Sequence, residues 1–452
     1  MVTGITFVGA SEPLAFQRVG ATGAQMARVL ISWRVVAPRN EPTSWQPEDP
    51  ADPNYNWTPI DLAVTRTVEA GLTPVIMIYE APSWADGCHS PASAPESLCA
   101  PSPTALAAFA IAAARRYSGS FEGLPRVRYW QGLNEPNLSL YFNPQFEGGK
   151  PVSPSLYRKL INTFYIAVKS VDPSNLVLAA GLGPIARPNS TIGPMSFARE
   201  LLCMTGRRDP HPTRGHCEGG VHFDIFDIHP YTTGGPTHKG QVNDVELGDL
   251  GKLQELLSAA DRAGRIHGAF RHTQLWITEF SWDSKPPDPG GLAMGILTRW
   301  TAEALYRAWS AGVSHFFWLS LRDNPPEPNR PFSETIQAGL YFRGETVAED
   351  RPKPNMYAFR FPFVAYPRQG GLFFWGRTPN SKGGKIVIQV MEHGGWRNAS
   401  VTHANGSGIF SGEIKTTYGR NLHGAARARY SGETAPAFSM HPVKDFYQPP
   451  FG

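Results

Sequence analysis

The sequence predicts an α/β protein: a (β/α)₈ TIM barrel over residues 1–366, followed by a small C-terminal all-β sandwich over residues 367–452. Three observations predict it. Apolar strand-like runs alternate with helix-period segments eight times in succession, which is the pattern of a closed parallel sheet. Two of those runs, the fourth and the seventh, end in a glutamate rather than in an ordinary turn. Beyond Tyr366 the helical period disappears, and short runs separated by Gly, Asn and Ser turns replace it, as in a sandwich of fewer than about a hundred residues. At 452 residues the chain is long enough for a barrel of about 250 residues or more and a second domain.

The elements follow in order. Gly4 to Gly9 reads as the first strand, the segment around Ala21 to Met26 as amphipathic, and Ala27 to Trp33 as the second strand. A helix over Pro59 to Ala70 is ended by Gly71, the residue that best tolerates the left-handed conformation past a helix end. Thr73 to Tyr79 is a nearly continuous apolar strand, as expected when both faces are covered. The alanine-rich helix Thr104 to Tyr117 leads to the fourth strand, Arg126 to Leu133, with Glu135 just beyond it and Pro136 as its stop. Ser155 to Val171 carries Tyr157, Leu160, Ile161, Phe164 and Val168 at helical spacing. Leu176 to Ala180, Phe223 to Tyr231, Thr273 to Phe280 and Ser314 to Leu319 supply strands five to eight. The helices Phe197 to Met204, Leu250 to Ala263, Ala293 to Ala311 and Asn355 to Val364 complete the alternation. The sandwich strands are expected at Gly371 to Trp375, Lys385 to Met391, Ala399 to His403, Gly412 to Tyr418 and Ala425 to Tyr430.

Bulk properties exclude several classes of function. A net charge of +4, not gathered into runs, is no nucleic-acid footprint. No stretch of about 18 apolar residues exists to span a membrane. An aromatic content of 12% argues that the many glycines and prolines mark long loops rather than disorder, and aromatics on loops suit flat, ring-shaped ligands. The chain runs from Met1 straight into a strand with no basic, signal-like segment, so it reads either as intracellular or as a mature form with a supplied Met1. Cys88 with Cys99, and Cys203 with Cys217, bracket two loops of similar length; two local disulfides in an exported protein is the simpler reading, and four reduced cysteines in a cytosolic enzyme is the other. The cysteine spacing makes no zinc site, and no metal or cofactor is expected.

In a barrel the strand ends converge on one face, where active sites are built. The ends gather Arg28, Glu80, Asn134, Glu135, His229, Tyr231, Glu279 and Trp318, with Trp84 and Trp282 on nearby loops. This set contains no Ser-His-Asp triad and no glycine-rich phosphate cradle. Its two glutamates suit glycoside hydrolysis, in which one carboxyl must be protonated to serve the leaving oxygen while the other is ionised. A glutamate beside Arg28 and Tyr231 would be held ionised; one in a less cationic setting would keep its proton. Singly, each residue has a plainer reading: Arg28 as a structural ion pair, His229 and Tyr231 as bonded core polar groups, Trp318 as barrel filling, and Trp84, Glu80 and Trp282 as ordinary loop surface.

Leu133-Asn134-Glu135-Pro136-Asn137 and Ile277-Thr278-Glu279-Phe280 resemble the fourth- and seventh-strand motifs of glycoside hydrolase clan A, the retaining (β/α)₈ glycosidases. The resemblance covers residues 1–366. It implies a carbohydrate substrate, Glu135 as acid/base, Glu279 as nucleophile, Arg28 as a contact of the nucleophile, His229 and Tyr231 as the sixth-strand His-x-Tyr, and Trp318 as a sugar platform. The motifs lean toward the β-xylosidase/α-L-iduronidase family and, through His-x-Tyr, toward the cellulase-like family. The third strand departs from the latter, ending Tyr79-Glu80-Ala81-Pro82 without a histidine. A transglycosylase would share all these residues, and a silent carbohydrate-binding barrel would keep the aromatics while losing a glutamate.

Overall fold

The computed structural model describes residues 1–92, 94, 97–187, 190–213, 219–415 and 424–451. Eight parallel strands close into a barrel: β1 (Val2–Ile5), β2 (Met26–Ser32), β3 (Thr73–Tyr79), β4 (Tyr129–Gly132), β5 (Leu176–Leu182), β6 (Ile225–Ile228), β7 (Gln274–Ile277) and β8 (Val313–Trp318). Around the ring the order is β1-β8-β7-β6-β5-β4-β3-β2, so strands consecutive in the chain are neighbours in the sheet. The chain divides into two compact units, one of Met26–Tyr231 and Lys239–Phe280, the other of Met1–Gln25, Thr232–His238 and Ser281–Gly452.

In the first unit, β3 and β5 are buried along almost their whole length, as the unbroken apolar runs require. The helix Pro103–Arg116 starts where Ser102 accepts the Ala105 N–H through its side chain and proline occupies the first turn, where its missing N–H costs nothing. Ser153–Val171 buries Tyr157, Leu160, Ile161, Phe164 and Val168, the stripe seen in the sequence. Gly132 at the end of β4 admits this helix closely: a Cβ there would lie 2.9 Å from both Ile161 and Phe164. Tyr157 ties the helix to two strands, its hydroxyl donating to the Gly132 carbonyl at 2.9 Å and accepting the Ala180 N–H at 2.7 Å. Tyr157→Phe removes both of these buried bonds and is expected to lower unfolding stability by about 1–3 kcal/mol, measurable by chemical denaturation.

The loop after β3 carries a disulfide between Cys88 and Cys99, the first of the two expected pairs. Cys203 is buried at the end of the helix Pro194–Leu201; Cys217 lies outside the described residues.

The second unit differs from expectation at four places, the first being the opening strand, which is Val2–Ile5 rather than Gly4 to Gly9. A helix already spans Pro13–Ala21, ahead of the amphipathic segment inferred around Ala21 to Met26, and Pro13 in its first turn marks the start. The last barrel helix stops at Arg360 rather than running to Val364, because Pro362 lacks an N–H and disfavours helical geometry at Phe361. Phe363 instead opens a strand. The expected sandwich is realised as two antiparallel sheets: three strands in the order Phe363–Arg368, Gly371–Arg377, Ile409–Lys415, and a second built on Gly395–Ala404, Gly384–Glu392 and Ala425–Tyr430. The strand expected at Gly412 to Tyr418 begins earlier, at Ile409, and residues 416–423 lie outside the described set. Phe374, Trp375, Ile386, Ile388, Ala426 and Ala428 are buried in these sheets. No helix among the described residues is long and apolar enough to cross a membrane.

Candidate active site

Six of the expected residues meet within the first unit. Arg28 lies within β2, only 2% exposed, and its guanidinium is spent in three directions. Nε donates to Gln131 Oε1 at 2.8 Å, Nη2 to Asn134 Oδ1 at 2.9 Å, and Nη1 to Glu279 Oε1. Tyr231 donates its phenol hydrogen to the other oxygen of Glu279 at 3.1 Å. His229 stands between the glutamates, with Nδ1 2.9 Å from Glu135 Oε1 and 3.7 Å from Glu279 Oε2.

The backbone that presents Glu135 is irregular and heavily braced. Leu133 and Glu135 both adopt left-handed backbone angles, φ 69° and 41°, which non-glycine residues hold only when their surroundings over-determine them. The bracing is visible. Leu133 N–H bonds to the Ile78 carbonyl and Glu135 N–H to that of Gly181, both at 3.1 Å. Asn137, fully buried, donates to the Gly183 and Ile192 carbonyls and accepts the Gly183 N–H. Gln145 donates to the Pro136 and Phe142 carbonyls. These bonds hold the turn that carries Glu135 on both sides.

The two carboxyls are driven apart electrostatically. Burial pushes Glu135 above the ordinary glutamate value, and the negative charge of Glu279 adds to it; hydrogen bonding and charge from His229 and the charge of Arg28 offset only part. Burial also opposes ionisation of Glu279, but the charges of His229 and Arg28, with hydrogen bonds from Arg28 and Tyr231, outweigh it and hold that carboxyl below the ordinary value. His229 is itself raised: burial works against its charge, and the carboxylates of Glu279, Glu135 and Asp227 prevail. Tyr141 and Tyr231 are raised as well, Tyr141 chiefly by the charge of Glu135 and Tyr231 chiefly by burial.

The remaining candidates are placed as follows. Glu80 takes a hydrogen bond from the Ser32 hydroxyl, with its backbone left-handed at φ 56°. Trp84 packs edge-on against Trp33 and Trp45 and donates to the Pro38 carbonyl at 2.9 Å. Among the described residues no hydrogen bond or ion pair joins Glu80 or Trp84 to either glutamate. Trp282 and Trp318 belong to the other unit; both are fully buried, their indole N–H groups donating to the Gly234 and Ala338 carbonyls. Gln131, Asp227, Thr278 and Tyr141 entered no sequence-based list. For Asp227 a signal existed, since an acid inside the apolar run Phe223 to Tyr231 demands a buried partner. No three or more His, Cys, Asp or Glu side chains gather as a metal site among the described residues.

Solved structures share this fold. The chain is similar to a family 39 glycoside hydrolase from the gut symbiont Bacteroides cellulosilyticus WH2, at 15% identity over 92% of this chain and 80% of that one, with a TM-score of 0.54. It is similar to a glycoside hydrolase family 39 enzyme from Xanthomonas axonopodis pv. citri, at 12% identity over 92% and 91% of the two chains and a TM-score of 0.53. A monomeric β-xylosidase from Caulobacter crescentus CB15 aligns at 13% identity over 92% and 94%, with a TM-score of 0.51. At such identities the likeness is one of fold: an eight-stranded parallel barrel followed by antiparallel sheets. At the level of sequence, no protein-family model and no curated protein matches.

Proposed function

We propose that this protein is a retaining glycoside hydrolase that cleaves O-glycosidic bonds by double displacement. The observation that carries the reading is the opposite displacement of two glutamates gathered around one imidazole, Glu135 toward the protonated form and Glu279 toward the ionised one. Glu279 attacks the anomeric carbon as the bond to the leaving oxygen breaks, and that oxygen takes the Glu135 proton. Glu135, now a carboxylate, removes a proton from water, which attacks the same carbon and releases Glu279. Arg28 and Tyr231 hold the nucleophile ionised and aimed. The substrate class is a glycoside, oligosaccharide or polysaccharide, and the disulfide favours an exported protein.

Spacing admits retention. His229 Nδ1 is 2.9 Å from Glu135 Oε1 and 3.7 Å from Glu279 Oε2, which places these two oxygens within reach of the retaining carboxyl separation of about 5 to 5.5 Å. The test is the anomeric configuration of the first-formed sugar, followed by proton NMR during hydrolysis of an aryl glycoside. Retained configuration is expected, and an inverted first product would overturn the mechanism.

A pH profile follows from the same displacements. Activity needs Glu279 ionised and Glu135 protonated. The acid limb of kcat/KM should therefore fall below the ordinary glutamate range, and the alkaline limb should lie above it, giving a bell of unusual width for two carboxyls. Rates measured across pH on one aryl glycoside check this; a bell centred on the ordinary glutamate value and no wider than one unit would contradict it.

A further inference from the structure

The hydrogen bonds behind His229 decide which of its nitrogens carries hydrogen. Asp227 and His229 are two residues apart at β6, and Thr278 follows β7, whose Ile277 pairs with Ile228. The Thr278 hydroxyl donates to Asp227 Oδ2, and the Thr278 backbone N–H donates to Asp227 Oδ1 at 3.1 Å. A hydroxyl has one hydrogen, and here the carboxylate takes it. Toward His229 Nε2, at 3.0 Å, Thr278 can then offer only a lone pair. Nε2 must therefore carry hydrogen. Between Nδ1 and Glu135 Oε1, at 2.9 Å, one further proton is needed to make the bond, seated either on the carboxyl or on the ring. Asp227 and His229 are both wholly buried, which removes water as a substitute partner. Gly181, with φ 52°, leaves room for this arrangement: a Cβ there would sit 2.5 Å from Gln131 Nε2, 3.2 Å from Asp227 Oδ2 and 3.4 Å from His229 Nε2.

We propose that Asp227 and Thr278 are positioning residues that lock His229 with hydrogen on Nε2, making the Glu135–His229 contact a seat for the proton the reaction spends and recovers. The inference rests on the assignment of Glu135 as acid/base. In the loaded state the proton satisfies both Nδ1 and Oε1. Once Glu135 has given it to the leaving oxygen, two bare acceptors face each other, because Nε2 cannot surrender its hydrogen without facing the Thr278 lone pair. That opposition makes the emptied pair a stronger base, and the proton is regained from the attacking water. With the other neutral tautomer, Nδ1–H would donate to an ionised Glu135 and leave it content without the proton it must deliver. Asp227 is pushed up to about 6 by burial, so above that pH it is ionised and holds the Thr278 hydrogen. The other charged and titratable groups facing the pair are Glu279, Arg28, Tyr231 and Tyr141.

Two isosteric changes test this on the full chain above pH 6. In Asp227→Asn the amide nitrogen, if it faces Thr278, donates to the hydroxyl, whose hydrogen turns toward Nε2 and forces the Nδ1–H tautomer. Thr278→Val removes the hydroxyl, and Thr278→Ser restores it. Nitrogen-15 NMR of labelled histidine is expected to show His229 of the parent protein with Nε2 protonated throughout, and the Nδ1–H tautomer in Asp227→Asn. The alkaline limb of kcat/KM should move to lower pH in Asp227→Asn and Thr278→Val and return in Thr278→Ser, with a loss of roughly 10²-fold or more in the wrong-tautomer variant. A parent protein showing neutral His229 protonated on Nδ1 would overturn the proposal even if it hydrolyses glycosides. So would a tautomer unmoved in both Asp227→Asn and Thr278→Val. A locked tautomer in a protein that cleaves no glycoside would instead leave the lock standing and remove the hydrolase reading.

Discussion

Glu279→Ala is expected to lower kcat for aryl glycosides by roughly 10⁴-fold or more, because removing a nucleophile takes away the covalent route itself. The change leaves Arg28 Nη1 and the Tyr231 hydroxyl without their carboxylate partner, yet opens a space where a small anion can sit. Azide should enter it and attack the anomeric carbon directly. The product would be a glycosyl azide of inverted configuration, since only one displacement has occurred. Chromatographic isolation and NMR of that azide is the measurement. Undiminished hydrolysis by Glu279→Ala would remove it from the mechanism. A panel of aryl glycosides in the same experiment identifies the preferred sugar by the rate that azide restores.

Glu135→Ala should give the complementary pattern. Loss of general acid–base assistance costs about 10²- to 10⁴-fold, but the loss depends on the leaving group. A dinitrophenolate leaves without a proton, so the first step survives and the second, which needs a base, becomes slow; a burst of phenolate followed by a low steady rate is expected. An alkyl leaving group has no such escape and should react far more slowly. Azide then intercepts the glycosyl–enzyme formed on Glu279 and yields retained configuration, the reverse of the Glu279 variant. An equal loss for good and poor leaving groups would argue that Glu135 acts on structure rather than on proton transfer. Its neighbours make that distinction worth drawing, because the turn carrying Glu135 is held by bonds to Ile78 and Gly181 and by the Asn137 and Gln145 amides around it.

Much of this was legible in the order of residues. Eight alternations of apolar run and helical stripe determine a closed parallel barrel, because hydrophobic period reports directly which face of each element is covered. The meeting of Asn134, Glu135, His229, Tyr231 and Glu279 was also legible, because strand ends converge once the barrel closes; Arg28, expected at a strand end, lies inside β2 and joins them through its long side chain. Boundaries were less so: the helix at Pro13–Ala21 and the strand opening at Phe363 depend on Pro13 and Pro362 rather than on period.

What the tertiary structure alone decided is how the polar groups are shared. Spacing cannot say that Arg28 divides its guanidinium among Gln131, Asn134 and Glu279, or that Trp282 and Trp318 are fully buried and turn their indole N–H groups to backbone carbonyls. Nor can it say that Thr278 spends its one hydrogen on Asp227 and so dictates the state of a histidine. Hydrophobic pattern is a property of each segment and survives in the sequence. A hydrogen bond between buried side chains 51 or 94 residues apart exists only where the closed barrel brings two strand ends together.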